Sequence, residues 1–264
     1  MIDLGFQCDG AVATLTLKRP PANAFTPEGL LELQRAIGQL NASPEVRAVV
    51  VTGDGAKFFS AGADLNAFAD GSKEVALRAA ACFGSAFEAL QNARPVLIAA
   101  INGYAMGGGL ECALACDLRI SEEHAQMALP ETSVGLLPCG CGTQTLPWLV
   151  GEGWAKRMIL TSERVDAQTA LRIGLVEEVV EKGAAVEAAL KMAERVIKMS
   201  PQGVEFSKAL VHQARMGVPR HAALAVERER FVQLFDGPDQ REGVNAFLEK
   251  RTPKWSQASE GASK

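Results

Sequence analysis

The 264-residue sequence predicts an α/β fold, in which strands buried on both faces alternate with helices. Two short runs, 46–51 and 96–101, have strand length; the first is rich in β-branched residues and the second is wholly apolar. An alanine-rich stretch, 73–92, lies between them and has the composition of a helix. Strands and helices alternate up to about residue 180, which indicates helices packed on both sides of a sheet.

The N-terminal part of this pattern contains a strand followed by a helix. Residues 12–17 alternate between apolar and polar types and stop at a Lys-Arg-Pro-Pro loop, as a strand does. Thr26 and Pro27 then have the residue types of a helix N-cap and first helical position. Leucine and isoleucine residues continue at helical spacing up to residue 40, so the sequence predicts a helix here.

From residue 183 onward the pattern becomes entirely helical. Four helices are predicted, over 185–199, 202–216, 220–235 and 239–248, and Pro- or Gly-containing breaks separate them. The polar segment 256–264 is predicted to be disordered.

The composition and charge argue against several classes of protein. A net charge of −4 and a pI near 5.6 provide no basic surface for nucleic acid or an anionic membrane. No apolar run is long enough to span a bilayer, and the first residues lack the pattern of a signal peptide. We therefore expect a cytoplasmic protein whose six cysteines are free thiols. The spacing in Cys139-Gly140-Cys141 indicates a small-residue turn, and no metal site is predicted.

Two glycine-containing turns each follow one of the buried strands. The first, 58–65, includes Ala63, and the second includes Gly107-Gly108-Gly109 immediately before a predicted helix over 110–116. Neither turn has the pattern of a nucleotide-binding loop or of a hydrolase nucleophile elbow. Because these positions carry small or no side chains, their backbone N–H groups can approach a ligand closely. Two such groups that converge would form an oxyanion hole.

Two glutamates follow these turns. Glu111 lies three residues after Gly108, so on a helix the two share a face, and Glu131 follows Pro130 at the end of an apolar stretch. A carboxylate within one turn of an amide donor can act next to the carbon whose oxygen that donor binds. Taken alone, Glu111 is equally consistent with a solvent-facing residue, because a carboxylate is seldom buried without a partner.

Four groups of motifs in this order resemble the enoyl-CoA hydratase/isomerase (crotonase) family over about residues 10–255. They are Arg19-Pro20 with Asn23-Ala24; the turn 59–65; the segment 102–142, which contains 103–111, Cys116-Asp117, Ala125-Gln126, Pro130-Glu131 and 135–138; and residues 246–251. Each glycine turn is weak evidence when taken singly, whereas the combination in this order and spacing is specific.

The resemblance implies an architecture and a class of substrate. It implies a crotonase-like spiral of ββα turns over 1–195 and a C-terminal helical trimerisation region over 196–255, so that a homotrimer or a homohexamer formed by two trimers is expected. It also implies a CoA thioester substrate and no separate cofactor, since coenzyme A is part of the substrate.

The resemblance also implies roles for individual residues. The amides of Ala63 and Gly108 would bind the thioester oxygen, Glu111 would activate water, and Glu131 would deliver a proton to C2. Six further residues would contact the substrate, namely Ala24, Ala61, Asp64, Leu65, Phe247 and Lys250. Asp64 and Asp117 also have the residue type of helix caps or turn formers, and Lys250 could equally be a solvated helix charge.

One departure from the family pattern is the segment 138–142, where cysteines replace the usual glycines at 139 and 141. This departure affects the expected substrate preference more than the expected reaction, which is hydration of a trans-2-enoyl-CoA. Two alternatives stay open: an isomerase or another acyl-CoA lyase of the family, and a non-catalytic RNA-binding relative. The glutamate at 111, which many of the isomerases lack, argues against the first, and the acidic charge balance argues against the second.

Overall fold

The computed structural model describes residues 3–69 and 71–255. Within these residues, the strands are β1 (Asp3–Asp9), β2 (Val12–Lys18), β3 (Ala48–Gly53), β4 (Phe58–Ser60), β5 (Val96–Ile101), β6 (Tyr104–Met106), β7 (Leu118–Glu122), β8 (Gln126–Ala128), β9 (Val165–Asp166) and β10 (Glu178–Val180). The α-helices are α1 (Pro27–Ala42), α2 (Lys73–Gln91), α3 (Gly108–Leu114), α4 (Gly142–Leu160), α5 (Ala167–Ile173), α6 (Ala185–Ile197), α7 (Pro201–Gln213), α8 (Arg220–Gln233) and α9 (Pro238–Leu248). This content confirms the predicted α/β class.

The larger of two sheets has the strand order β1-β2-β3-β5-β7-β10. All neighbours from β2 to β10 are parallel, as expected for strands that are joined by helical crossovers. The edge strand β1 instead pairs antiparallel with β2 through a tight turn. This edge strand was not predicted from the sequence.

The smaller sheet has the order β4-β6-β8-β9 and consists of strands of two or three residues. Along the chain, β3–β4, β5–β6 and β7–β8 each place one strand in each sheet, and the next α-helix after each pair is α2, α3 and α4, respectively. The chain therefore makes successive ββα turns, which is the crotonase fold that the sequence resemblance implied. Because β4 and β6 pair at Ser60 and Ala105, the turns that follow them lie side by side.

The central strands of the large sheet, β3 and β5, are buried on both faces. Along β3, Val49 and Val51 pack into one core with α1 and α2, whereas Ala48 and Val50 pack into a second core with α6. Where successive side chains of a strand enter two different cores, each of them is apolar, which explains the uninterrupted apolar run 48–51.

The helix starts follow from the capping residues. The Oγ1 atom of Thr26 accepts a hydrogen bond from the N–H of Gly29 at 3.1 Å, with Pro27 at the first helical position, as predicted. Ser72 caps α2 in the same way through the N–H of Val75. The predicted start of α3, residue 110, was wrong, since the helix begins at Gly108. Glycines can form the first turn of a helix where tertiary contacts hold it.

The C-terminal section contains the four predicted helices, α6 to α9, although α6, α7 and α8 end two or three residues earlier than predicted. Helix α6 covers the large sheet and extends to Ile197, so the predicted boundary at residue 195 falls in its last turn. The predicted disordered tail, 256–264, lies outside the described residues. Among the residues that are described, none of the helices has the length and apolarity that crossing a membrane requires.

Candidate active site

The turns after β4 and β6 are in direct contact. Gly62 has a φ of 87°, and a Cβ at this position would lie 2.5 Å from the carbonyl oxygen of Met106 and 2.9 Å from the amide nitrogen of Gly108. Only glycine combines this backbone conformation with such a close approach. The two segments that were predicted to supply oxyanion-hole donors are therefore brought together by the fold.

The N–H groups of Ala63 and Gly108 border this contact. The strand-like pairing of Ala63 with Phe25 uses the carbonyl of Gly62 and the N–H of Asp64, which leaves the N–H of Ala63 out of the pairing. Gly108 is the first residue of α3, and the first N–H groups of a helix have no intrahelical partner. Within the described part of the chain, neither N–H forms a backbone hydrogen bond, so both are available to an acceptor.

A cavity of about 520 Å³ opens over these two residues, which is within the usual range for small-molecule sites. Its walls are mainly apolar and come from the turn after β4, helix α2, the start of α3 and the segment 130–139. They consist of Ala61, Ala63, Leu65, Phe68, Ala76, Ala79, Ala80, Phe83, Gly107, Gly108, Glu111, Pro130, Glu131, Ser133, Val134, Gly135, Leu136, Leu137 and Cys139.

Glu111 is buried in the wall of this cavity, with only 2% of its surface exposed. Its Oε1 atom accepts three hydrogen bonds from backbone N–H groups, those of Gly140 at 2.9 Å, Cys141 at 2.9 Å and Gly142 at 2.7 Å. Three donors to a single oxygen compensate for the loss of water and fix the orientation of the carboxyl group. The alternative of a solvent-facing Glu111 is therefore wrong.

Glu131 enters the same cavity from the first position of a short 3₁₀ helix, Glu131–Val134. Its Oε2 atom is buried and has no hydrogen-bond partner among the described residues. Burial, together with a smaller repulsion from Glu111, raises the pKa of the Glu131 carboxyl group to about 7. Glu131 therefore titrates near neutral pH and can either hold or release a proton there.

The cysteines of the 139–141 segment lie in a turn, as predicted. Cys139 lines the cavity, and burial together with repulsion from Glu111 and Glu131 raises its thiol pKa to about 11. The Cys141 thiol donates a hydrogen bond to the backbone oxygen of Glu111 at 3.3 Å, and burial raises its pKa further. No cluster of three or more potential metal ligands occurs in residues 3–69 and 71–255.

The remaining predicted substrate-binding residues fall into two groups. Ala61 and Leu65 line the cavity together with the two glutamates. Asp64 instead forms a salt bridge with Arg19 at 2.7 Å and caps the 3₁₀ helix Leu65–Phe68. The alternative prediction, that Asp64 is a helix cap, therefore agrees with the structure. Ala24 is not among the cavity-lining residues. Phe247, which is 83% exposed, lies in the last turn of α9, and Lys250 follows the end of that helix.

Several residues of the site were not identified from the sequence. The turn 140–142 was recognised only as a small-residue turn, although its glycines leave no room for a side chain: a Cβ on Gly140 would lie 2.4 Å from the Phe87 ring. The stretch 76–83 of α2 lies within 66–87, over which the resemblance places the acyl pocket, but the sequence does not show which of its side chains face the cavity. The repeated alanines at 76, 79 and 80 were the available signal.

The described chain is also similar to known proteins. It is 61% identical to a solved structure of DspI from Pseudomonas aeruginosa, with a TM-score of 0.93 and 96% of each chain covered. It is 38% identical over 244 residues to a short-chain-enoyl-CoA hydratase of Clostridium acetobutylicum, covering 92% of this chain and 93% of the relative. It is 35% identical over 256 residues to a carnitinyl-CoA dehydratase of Citrobacter koseri, covering 96% and 97%.

The two sheets and their ββα turns define the class as a crotonase-fold enzyme. The chain belongs to the enoyl-CoA hydratase/isomerase family, which it matches over residues 7–258. Membership implies an acyl-CoA substrate, which agrees with the substrate class that the sequence resemblance implied.

Proposed function

We propose that this protein is an enoyl-CoA hydratase, which adds water to a trans-2-enoyl-CoA to give a 3-hydroxyacyl-CoA. The observation that supports this proposal is the difference between two carboxyl groups in one cavity. Glu111 is held by three backbone N–H groups, whereas Glu131 is half-buried beside it, with an Oε2 atom that has no hydrogen-bond partner among the described residues and a pKa of about 7. Hydration requires both a base for water and an acid for carbon, and such a pair supplies them.

The N–H groups of Ala63 and Gly108 would bind the thioester carbonyl oxygen. Addition of water at C3 moves negative charge onto this oxygen, and two fixed N–H donors stabilise that charge in a cavity with apolar walls. Loss of one such donor typically raises the barrier by about 3 to 4 kcal/mol.

Glu111 would orient a water molecule toward C3 and accept its proton. The three N–H donors to its Oε1 atom hold the carboxyl group in one orientation, which is the requirement for aligned attack. The new C–O bond forms at C3 while the electrons of the double bond move toward C2 and the thioester oxygen.

Glu131 would deliver the proton that C2 receives. With a pKa of about 7, this carboxyl group is protonated in a large fraction of molecules at neutral pH and is still acidic enough to give the proton up. In the reverse direction, the same group in its ionised form would remove the C2 proton, so dehydration of a 3-hydroxyacyl-CoA uses the same residues.

The remaining assignments concern coenzyme A and the assembly. Phe247 and Lys250 are proposed to contact coenzyme A, with Ala24 and Asp64 near the entrance to the site. Large apolar side chains are exposed along α7–α9, including Val211, Phe231 and Phe235, which supports a homotrimer or homohexamer formed through the 196–255 region. We keep the cytoplasm as the proposed compartment, in which six unpaired cysteines remain reduced.

The proposal is tested by product analysis of the wild-type protein with a trans-2-enoyl-CoA in ¹⁸O-labelled water. The expected product is a 3-hydroxyacyl-CoA that carries the label on C3, and the Glu111→Gln/Glu131→Gln double variant should give none above background. A trans-3-enoyl-CoA supplied in parallel tests the isomerase alternative. Conversion of that compound to the 2-enoyl-CoA, without hydration of either substrate, would overturn the proposal.

A further inference from the structure

A file of hydrogen-bonded side chains reaches the main chain of Glu111 from residues that do not line the cavity. At its start, the side-chain N–H of Gln91, the last residue of α2, donates to Oγ1 of Thr145 at 3.1 Å. The Thr145 side chain hydrogen-bonds the Cys141 thiol, and that thiol donates to the backbone oxygen of Glu111 at 3.3 Å. We call these three side chains the Gln91–Thr145–Cys141 relay. It joins the end of α2 to the start of α4 and to α3.

Each group in the relay has the donor that its next bond requires. Gln91 occupies an acceptor site of the Thr145 hydroxyl, which leaves the hydroxyl proton for the sulfur atom and the thiol proton for the carbonyl oxygen. Burial raises the pKa of the Cys141 thiol, and repulsion from Glu111 raises it further, so the thiol keeps this proton at neutral pH. Thr145 is only 5% exposed, so water cannot readily replace its partners.

The Cys141 side chain is the one through which the turn 140–142 can be anchored. Its two neighbours are glycines, and a Cβ on Gly140 or Gly142 would lie 2.4 or 2.8 Å from the nearest side chain. Thr145 holds Cys141 twice, since the backbone N–H of Thr145 also donates to the backbone oxygen of Cys141 at 2.8 Å. Because the three N–H donors to Glu111 belong to consecutive residues, fixing Cys141 fixes the donors on both sides of it.

The relay depends on a residue in which this chain departs from its family. A glycine at position 141, which is the usual residue there, has no side chain to receive the bond from Thr145 or to reach the backbone of Glu111. Neither Gln91 nor Thr145 lines the cavity, so an effect of either residue on the reaction must pass through the turn.

We infer that Thr145, itself held by Gln91, is a positioning residue that acts through Cys141 to fix the turn orienting Glu111. The inference rests on the proposed hydratase function, in which Glu111 must point at a water molecule. Loss of the relay leaves the cavity walls and the three N–H groups in place but lets the turn move, so turnover should suffer more than substrate binding.

The test measures kcat and KM for a trans-2-enoyl-CoA with the full-length protein. Thr145→Val keeps the branched shape and removes the hydroxyl, and it should lower kcat by about three- to tenfold, the size of one hydrogen bond, with KM within about twofold of wild type. Thr145→Ser restores the hydroxyl and should return kcat to within about twofold of wild type. Gln91→Leu should lower kcat by about two- to threefold, because it releases the Thr145 hydroxyl without removing it.

Thr143→Val is the matched control, since Thr143 is exposed in the same turn of α4 and its hydroxyl accepts a hydrogen bond from the exposed Gln144 side chain. Its kcat should stay within about twofold of wild type. Equal values of kcat in Thr145→Val and Thr143→Val, or no recovery in Thr145→Ser, would overturn the inference while hydration stands.

A double-mutant cycle tests whether Thr145 acts through the thiol. Cys141→Ala should itself lower kcat by about three- to tenfold, and adding Thr145→Val should then cost less than about twofold more, because the connection is already cut. A full additional loss in the Cys141→Ala background would show that Thr145 acts by another route and would overturn the relay.

A measurement without substrate separates this inference from the proposed reaction. Hydrogen–deuterium exchange of the peptide that spans 140–142 should be about three- to tenfold faster in Thr145→Val than in wild type and unchanged in Thr143→Val. A wild type that hydrates nothing, combined with this pattern of exchange, would refute the hydratase function and retain the relay. Equal exchange in all three proteins would refute the relay.

Discussion

Glu111 and Glu131 lie in two neighbouring regions that provide opposite environments for the same type of side chain. The turn 140–142 directs three N–H groups at one oxygen of Glu111. The segment around Glu131 buries an oxygen and gives it no partner among the described residues. One region supplies hydrogen bonds in place of water, and the other removes water without replacing it.

The difference shows how two identical carboxyl groups acquire two chemical roles. Hydrogen bonds fix where a group points, whereas desolvation changes how strongly it holds its proton. Burial raises the pKa of Glu131 to about 7, while Glu111 is restrained in position. Experiments that remove either environment test whether the two roles are separate.

The largest expected effect follows from replacing either carboxyl group. Glu111→Gln and Glu131→Gln should each lower kcat for hydration by about 100- to 10,000-fold, because each removes one of two cooperating proton carriers. The kcat of the double variant should be only slightly lower than that of the less active single variant, since the two groups act as a unit. Steady-state kinetics with a trans-2-enoyl-CoA measure both effects.

Glu123→Gln is the control, because Glu123 is exposed and does not line the cavity. It should retain wild-type kinetics. Turnover near the wild-type rate in either active-site variant would show that the proposed pair does not carry the reaction.

The next effect comes from disturbing the turn that holds Glu111. In Gly140→Ala, the new Cβ would lie 2.4 Å from the Phe87 ring and 3.2 Å from Oε2 of Glu111, so the turn must move. A displacement of about 1 Å at a catalytic group typically costs about 100-fold in rate, and we expect a loss of 10- to 100-fold in kcat.

Gly153→Ala provides the comparison, because Gly153 lies in helix α4 with no atom within 4 Å of its would-be Cβ. It should leave kcat unchanged and stabilise the helix slightly. If Gly140→Ala were as active as Gly153→Ala, the three N–H donors would not be needed to position Glu111.

A smaller effect is expected on the pH profile. Delivery of a proton by Glu131 requires its protonated form, so kcat/KM for hydration should fall by up to tenfold per pH unit above about 7. Because hydration takes up and releases no net proton, its equilibrium constant does not depend on pH, so kcat/KM for dehydration should fall with the same pKa. If kcat/KM of Glu131→Gln fell with the same pKa, the titration would belong to another group.

The smallest expected effect concerns stability. The pKa of Glu131 rises from 4.5 to about 7 on folding, so the folded state binds its proton more tightly and stability falls as pH rises from 4.5 to 7. Glu131→Gln should therefore be more stable than wild type at pH 8 by about 1 to 2 kcal/mol, after allowance for partial exposure of the group. At pH 4 the two should be equal, and denaturant unfolding at both pH values measures the difference. A constant difference would contradict a pKa of Glu131 that burial of its Oε2 atom raises.

The bounds of elements that depend on nearby residues were predicted closely. The apolar run of β5 coincides with the strand Val96–Ile101, and α2 ends one residue before its predicted end, because buried strands and capped helices are determined by nearby residues. Strand β1 was missed because it lies at a sheet edge, where most of its side chains, including Phe6, are exposed. Strands β4, β6, β8 and β9 are too short to show a periodic pattern.

The site was predicted in part. Motif order identified Glu111 and Glu131, which the fold then brings to one cavity. The donors to Glu111 lie 29 to 31 residues away, and no local pattern encodes such a contact. For Asp64, the predicted role as a cap agrees with the structure, whereas its salt bridge to Arg19, 45 residues earlier, has no local signal in the sequence.

The three donors to Glu111 all belong to the main chain, and this affects which mutations the site tolerates. A backbone N–H does not depend on the type of side chain, so a substitution at Cys141 other than proline replaces the thiol and leaves the N–H donor in place. Only proline deletes such a donor, while any side chain at Gly140 or Gly142 would crowd its neighbours. A saturation screen of 140–142 should therefore recover several small residues at 141, where the side chain packs against the core, and glycine alone at 140 and 142.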